Sequence, residues 1–96
     1  MANIKSKQNI KRRRVTFSIE APRAEKVILT GDFNNWSSKT HPMKNDGNGM
    51  WSKTVMLKPG KYEYKFLIDG DWKIDTGNNQ TCPNCFGTRN NVLMRP

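Results

Sequence analysis

The stretch "YEYKFLIDGDW", residues 62–72, decides the fold of this chain. From Tyr62 to Ile68, every second residue is aromatic or branched aliphatic, which is typical of a strand with one face on a core. "DG" at 69–70 favours a two-residue hairpin turn, because aspartate and glycine both tolerate a left-handed backbone. The stretch therefore predicts two antiparallel strands joined by a tight turn.

A two-residue turn also determines which side chains share a face of the sheet. Leu67 then pairs with Trp72, and directly opposed residues lie on the same face. Lys65 is on that face as well, whereas Tyr64 and Phe66 point to the other face, which we expect to be the core. The pattern thus predicts that Trp72 lies outside the core, beside Lys65. A three-residue turn would reverse the parity and bury Trp72.

Similar strand patterns recur on both sides of this hairpin. Alternating or continuous apolar runs predict further strands at residues 15–20, 26–30, 50–57 and 91–94, and the hairpin contributes 62–68 and 72–74. No window has the apolar spacing of an amphipathic helix, so essentially no helix is expected. About seven short antiparallel strands, with a turn signal roughly every ten residues, predict an all-β sandwich.

The positive charge of the chain is concentrated at its start. The formal net charge is +9, and six of the 17 lysines and arginines fall within the first 14 positions. This asymmetry predicts a basic flexible tail, residues 1–14, followed by one β-sandwich domain, residues 15–96. No stretch has the pattern of a signal peptide or a membrane helix, so we expect a cytoplasmic protein with no membrane partner.

Residue types that carry catalysis are sparse. His41 is the only histidine, and no nucleophile motif surrounds it, so we expect an ordinary surface residue. Cys82 and Cys85 in "CPNC" are interpreted as loop thiols or an incidental disulfide, with half of a zinc site and a redox pair as the alternatives. They lie in a long connection, residues 75–90, of the kind that is usually functional or disordered. We predict no enzyme, no cofactor and no metal.

Aromatic residues at unusual positions are the feature of the sequence that indicates a function. "GDFNNW", residues 31–36, puts Trp36 in a loop, where an indole either returns to the core or is held out to meet a ligand. A flat indole suits the apolar face of a sugar ring, and nearby asparagine amides and a lysine supply hydrogen bonds for its hydroxyls. The core remains the competing location for Trp36 and for Trp72, whereas Trp51 is assigned to the core.

Three motifs occur together in the order and spacing of a known family. They are "GDFNNW", "W…TVMLKPGKYEYKFLIDGDW" and "FGTRNNVL". Over residues 15–95 the chain resembles the glycogen-binding module, carbohydrate-binding module family 48. This family includes the β subunit of AMP-activated protein kinase and the N-terminal early-set domains of isoamylases and branching enzymes. The resemblance implies an immunoglobulin-like (early-set) β-sandwich that binds α-1,4-glucans such as glycogen and starch.

The resemblance also implies roles for individual residues. Two tryptophans would be stacking platforms, a lysine would hydrogen-bond the sugar, and the loop before the last strand would add one apolar and two polar contacts: Trp36 and Trp72, Lys65, then Phe86, Thr88 and Asn90. The implied ligand is an α-glucan polysaccharide or oligosaccharide. Members are usually attached to an enzyme or a kinase, so a separate enzyme or kinase partner is a further expectation. The chain departs from the family in carrying Phe86 where the kinase subunit has a leucine, and in its "CPNC" sequence.

Two alternative functions remain open. A regulatory or protein-interaction domain would keep the fold but have a degenerate sugar site. A binder of nucleic acid or acidic surfaces would work through the basic tail, whose clustered charges attract phosphates, although a disordered solubilising arm explains the same residues. The salt dependence of binding distinguishes these alternatives, because stacking on a neutral sugar should barely respond to the salt concentration.

Overall fold

The computed structural model describes residues 12–95, and nearly all of its regular structure is β. In this part of the chain, eight strands and one 3₁₀ turn, η1, follow one another: β1 (Arg13–Glu20), β2 (Val27–Gly31), η1 (Asp32–Asn34), β3 (Lys44–Asn45), β4 (Met50–Leu57), β5 (Gly60–Ile68), β6 (Asp71–Lys73), β7 (Thr81–Pro83) and β8 (Arg89–Arg95). The described residues contain no α-helix, and so no helix that could cross a membrane.

Two antiparallel sheets enclose one core. The first sheet has the order β1-β4-β3, and the second has the order β2-β5-β8-β7, with β6 also paired to β5. Apolar side chains from both sheets fill the space between them: Phe17, Val27, Leu29, Met43, Trp51, Val55, Leu57, Tyr64 and Phe66. The predicted all-β, immunoglobulin-like sandwich is confirmed, with eight described strands instead of about seven.

The β5–β6 hairpin has the predicted register. Leu67 pairs with Trp72, and the two residues between the strands, Asp69 and Gly70, have φ angles of 49° and 87°. Positive φ at both positions is the geometry of the two-residue turn that aspartate and glycine favour. Phe66 is fully buried and Trp72 remains 49% exposed, so the turn does place Trp72 outside the core.

The first strand begins earlier than predicted. Arg13 already pairs with Leu57 across the first sheet, so β1 starts at Arg13 rather than at Val15. Residues 1–11 lie outside the described part of the chain. The flexible tail predicted for residues 1–14 therefore stays a prediction over residues 1–11, whereas Arg13 and Arg14 belong to β1.

The long connection at residues 75–90 contains regular structure that was not predicted. Thr81–Pro83 forms β7, which pairs with β8 at the edge of the second sheet. A short strand with little apolar alternation gives a weak sequence signal, since its pairing rather than its pattern defines it. Strand β3, Lys44–Asn45, was not predicted, for the same reason.

A buried amide holds the part of this connection that precedes β7. Asn91 on β8 is fully buried, and its Nδ2 donates to the carbonyls of Asp75 and Asn78, each at 3.1 Å. Its Oδ1 accepts from the backbone N–H of Asp75. Nearby, the Tyr64 hydroxyl donates to Asp75 Oδ2 at 3.1 Å, and burial raises the pKa of Tyr64 to about 12. These bonds fix the start of the connection against the second sheet.

Candidate functional site

A groove of about 1050 Å³ lies on the outer face of the second sheet. It is lined by all six predicted site residues, Trp36, Lys65, Trp72, Phe86, Thr88 and Asn90. The other lining residues are Glu63, Lys73, Ile74, Asn84, Cys85 and Arg89. The fold therefore brings three separate segments to one place: the loop after β2, the β5–β6 hairpin, and the loop that leads into β8.

The two predicted platform tryptophans lie side by side in this groove. The ring centroids of Trp36 and Trp72 are 6.3 Å apart, with an angle of 60° between the ring planes. Both rings keep solvent-accessible surface. By contrast, Trp51 is only 7% exposed and its Nε1 donates to the Ala21 carbonyl at 3.0 Å, which confirms its assignment to the core.

Trp36 is held in a backbone conformation that a bulky residue rarely adopts. Its φ is 58°, and the preceding Asn35 has a φ of 57°. Left-handed backbone at a tryptophan is strained, and such strain persists only where surrounding contacts enforce it. The indole Nε1 donates to Asp32 Oδ1 at 3.0 Å, while Asp32 Oδ2 accepts from the backbone N–H of Glu63 at 2.8 Å. Asp32 thus ties the ring to strand β5.

The side chain of Asn34 organises the same loop. Its Oδ1 accepts from the backbone N–H groups of Gly31 and Ser37, at 3.1 and 3.2 Å. Its Nδ2 donates to the Leu29 carbonyl at 3.1 Å and to His41 Nδ1 at 2.8 Å. A primary amide has two donor hydrogens and two acceptor positions, so Asn34 uses its full hydrogen-bonding capacity. This single residue closes the loop that presents Trp36.

His41 is a structural residue of the loop rather than an ordinary surface histidine. Because Asn34 Nδ2 donates to it, the Nδ1 atom must be an acceptor, and the ring proton must lie on Nε2. Burial, and secondarily the positive charge of Lys53, lowers the pKa of His41. The ring also packs edge-on near Phe33, with centroids 6.0 Å apart.

Lys65 is a buried cation at the floor of the groove. Its residue surface is only 8% exposed, and its Nζ donates to Thr88 Oγ1 at 3.1 Å. Within residues 12–95 no carboxylate forms an ion pair with it. An ammonium group carries three donor hydrogens, and leaving donors unmatched away from water is unfavourable. Lys65 is therefore prepared to donate to an oxygen-rich ligand.

The loop that leads into β8 is organised by Asn84, which sequence reasoning missed. Asn84 Oδ1 accepts from the backbone N–H groups of Phe86 and Thr88, at 2.9 and 3.2 Å. Its Nδ2 donates to Thr88 Oγ1 at 2.8 Å and to Asn90 Oδ1 at 2.9 Å. Asparagine at the start of a turn often bonds the backbone two residues ahead, and this was the signal available in the sequence. The ordered loop leaves the Phe86 ring 84% exposed.

Glu63 is the second residue that sequence reasoning missed. It accepts from Asn90 Nδ2 at 3.0 Å. This bond, followed by a hydrogen bond from the Cys82 thiol, lowers the pKa of Glu63. The carboxylate therefore stays charged and holds the Asn90 amide in place.

Cys82 and Cys85 are free thiols, the first half-buried and the second exposed. No group of three or more histidine, cysteine, aspartate or glutamate side chains comes together as a metal site within residues 12–95. A zinc site therefore has no ligand set in this part of the chain. Cys82 lies on strand β7 rather than in a loop, and Cys85 lies in the turn that follows it.

The fold and the groove together define a class of protein. A β-sandwich whose exposed groove combines indole rings, amide groups and a lysine, all suited to sugar rings and hydroxyls, is a carbohydrate-recognition module. The family model described as the glycogen recognition site of AMP-activated protein kinase matches residues 13–94. The chain belongs to this family, which confirms the resemblance inferred from the motifs.

Parts of several larger proteins are similar to this chain. The chain is 50% identical over 52 residues to Protein PTST homolog 2, chloroplastic, of Arabidopsis thaliana, covering 54% of the chain and 10% of that protein. It is 37% identical over 62 residues to Protein FLOURY ENDOSPERM 6, chloroplastic, of rice, Oryza sativa subsp. japonica, covering 65% and 12%. It is 41% identical over 56 residues to a 1,4-alpha-glucan branching enzyme of Bradyrhizobium sp. (strain BTAi1), covering 58% and 8%. The matches thus span a small part of each relative.

Proposed function

We propose that this chain is a non-catalytic module that binds α-1,4-glucans by stacking sugar rings on Trp36 and Trp72. The observation that carries the proposal is the pair of solvent-accessible indoles, 6.3 Å apart, in the same groove as the buried Lys65. By analogy with base stacking, each platform contributes about 1–3 kcal/mol. Two platforms and a few solvated hydrogen bonds give about −4 to −7 kcal/mol, which corresponds to dissociation constants from about 1 mM to about 10 μM.

The polar residues of the groove have matching roles in this proposal. Lys65 Nζ, whose hydrogen-bond partner among residues 12–95 is Thr88 Oγ1, donates to sugar hydroxyls. The Asn90 amide, which makes one donor and one acceptor bond among residues 12–95, can add one of each to sugar hydroxyls. The Thr88 hydroxyl already bonds Lys65 and Asn84, and it would exchange one of these partners for the sugar. Phe86, held out by the loop, covers an apolar face of the glucan.

The relatives support recognition rather than chemistry in this domain. The family description names a glycogen recognition site, and the branching enzyme matches over only 8% of its length. We therefore propose that catalysis belongs to a separate enzyme or kinase partner, which this module would bring to the glucan. We also propose a cytoplasmic location; the chloroplast is named for two of the relatives, not for this chain.

The decisive experiment is a titration with maltoheptaose, followed by intrinsic fluorescence and amide NMR. We expect shifts at Trp36, Trp72 and residues 84–90, and we expect Trp72→Ala and Trp36→Ala each to weaken binding at least about tenfold. Trp72→Ala is the cleaner variant because half of its side chain already faces water. Trp51→Phe is the matched control, because Trp51 is buried in the core. This substitution should leave the affinity for maltoheptaose unchanged while it removes one indole from the fluorescence signal.

One further ligand tests whether the groove distinguishes the linkage between the sugars. Cellohexaose presents the same sugar with β-1,4 linkages, and its straight chain should bind more weakly if the groove fits a curved glucan. A folded chain whose spectra do not change at millimolar maltoheptaose would contradict the proposal and favour a protein-interaction domain with a degenerate site.

A further inference from the structure

We propose that Cys82 and Cys85 form a reversible disulfide with low-molecular-weight disulfides, such as oxidised glutathione, as the oxidant, and that this bond weakens glucan binding. Formation of the disulfide does not depend on a bound ligand. Its effect on glucan affinity rests on the function proposed above.

The two thiols stand on either side of Asn84 in the chain, and one of them lines the groove. Cys85 is exposed and lines the groove directly. Cys82 lies on β7 opposite Asn90, whose side-chain amide donates to Glu63. Asn84, which orders the loop, lies between them in the chain. Any bond that joins the two sulfurs therefore acts on the residue that positions Phe86 and Thr88.

The environments of the two thiols assign them different roles in the exchange. Burial, followed by the hydrogen bond to Glu63 and its negative charge, raises the pKa of Cys82, so this thiol is a poor initial nucleophile. The exposed Cys85 thiolate attacks one sulfur of glutathione disulfide and releases a glutathione thiolate. The Cys82 thiolate then attacks the Cys85 sulfur of the mixed disulfide and releases the second glutathione. The protein loses two electrons and two thiol protons, and glutathione disulfide is reduced to two glutathione molecules.

The disulfide would disturb the hydrogen bonds of the reduced groove. Cys82 lies opposite Asn90, which accepts from Asn84 and donates to Glu63, so a bond that draws Cys82 toward Cys85 acts on both of these contacts. A disulfide also requires its Cα atoms to lie about 4.4–6.8 Å apart with a defined torsion. Residues 82–85 would then close around Pro83 and Asn84, which constrains the backbone of Asn84 while its side chain bridges Phe86, Thr88 and Asn90. We expect the oxidised loop to present these three residues poorly.

The test treats the full chain with oxidised glutathione and measures both disulfide formation and affinity for maltoheptaose. Mass spectrometry with and without alkylation counts the free thiols, and calorimetry gives the dissociation constant before and after oxidation. We expect an intramolecular disulfide and about tenfold weaker binding, with both effects reversed by dithiothreitol. Each variant is compared with itself before and after oxidation. Cys85→Ser should be insensitive to the oxidant, and Cys82→Ser should accumulate a glutathione adduct on Cys85.

The possible failures are distinguishable. If the reduced chain binds maltoheptaose and glutathione disulfide produces no intramolecular disulfide, the inference is overturned while the proposed function stands. The same holds if the disulfide forms and the affinity does not change. If the reduced chain does not bind maltoheptaose at all, the proposed function itself fails, and regulation of glucan binding fails with it.

Discussion

Single asparagine residues hold much of the local structure of the two loops that line the groove. Asn34 bridges Gly31, Ser37, Leu29 and His41 around the turn that presents Trp36. Asn84 has the same role in the loop of Phe86 and Thr88. An amide suits this task because it donates and accepts at once, whereas a carboxylate or an ammonium does only one of these.

The bond between Asn34 and His41 predicts a pH dependence of stability. The folded pKa of His41 lies below its ordinary value of 6.5, so the unfolded state binds more protons as the pH falls below that value. The stabilisation is fully present above pH 6.5 and is lost as the pH falls through the folded pKa, when a protonated Nδ1 can no longer accept from Asn34. We expect the free energy of unfolding to decrease as the pH falls from about 6.5 through the folded pKa of His41.

Urea titrations across this range would measure the effect of His41. His41→Gln is the control, because glutamine keeps a polar side chain but does not titrate, and its stability should change less over the same interval. Identical pH profiles for the two proteins would contradict a role for His41 in holding the loop.

Among the secondary-structure elements, the contact between β2 and β5 determines the position of Trp36. Gly31 ends β2 with an extended backbone, and a Cβ there would lie 2.5 Å from the Glu63 carbonyl oxygen and 2.9 Å from Tyr64 Cβ. Glycine is thus required by close approach rather than by its φ angle. The absence of a side chain lets η1 begin directly against β5, where Asp32 bonds both Glu63 and the Trp36 indole.

Gly31→Ala should therefore destabilise the domain by about 1–3 kcal/mol, the usual effect of overpacking. Chemical denaturation gives the value, and β2 and β5 should lose amide-exchange protection together. Gly77→Ala is the matched control, because a Cβ at position 77 would meet only one side-chain oxygen of Asp75, at 3.2 Å, whereas a Cβ at position 31 would meet the backbone of β5. An equal loss of stability in both variants would contradict the close-approach explanation.

At the level of the whole molecule, the sandwich separates its core from its ligand groove. The core lies between the two sheets, and the groove uses the outer face of the larger sheet. The side chains of the groove can therefore be replaced with little effect on the packed interior. The strong basic charge of the chain lies mostly in the first 14 residues, apart from this groove in the sequence.

This separation predicts that glucan binding barely depends on salt. Maltoheptaose is neutral, so its affinity should change by less than about twofold between low salt and about 0.5 M NaCl, whereas binding to phosphates falls steeply over that range. A parallel titration with duplex DNA is the control for the basic tail. A steep salt dependence of maltoheptaose binding would contradict stacking on a neutral sugar as its source.

The sequence by itself determined the β-sandwich, the β5–β6 register and the exposure of Trp72. These follow from local rules, since period-two alternation defines a strand face and an Asp-Gly turn fixes the pairing across it. The family motifs likewise identified six residues that now line one groove. Only the tertiary structure decided that Trp36 contacts Trp72, that Lys65 is buried beside Thr88, and that β7 forms within the long connection. It also disclosed Asn84, Glu63 and Asp32, because their importance arises from hydrogen bonds to partners that no local pattern of residues specifies.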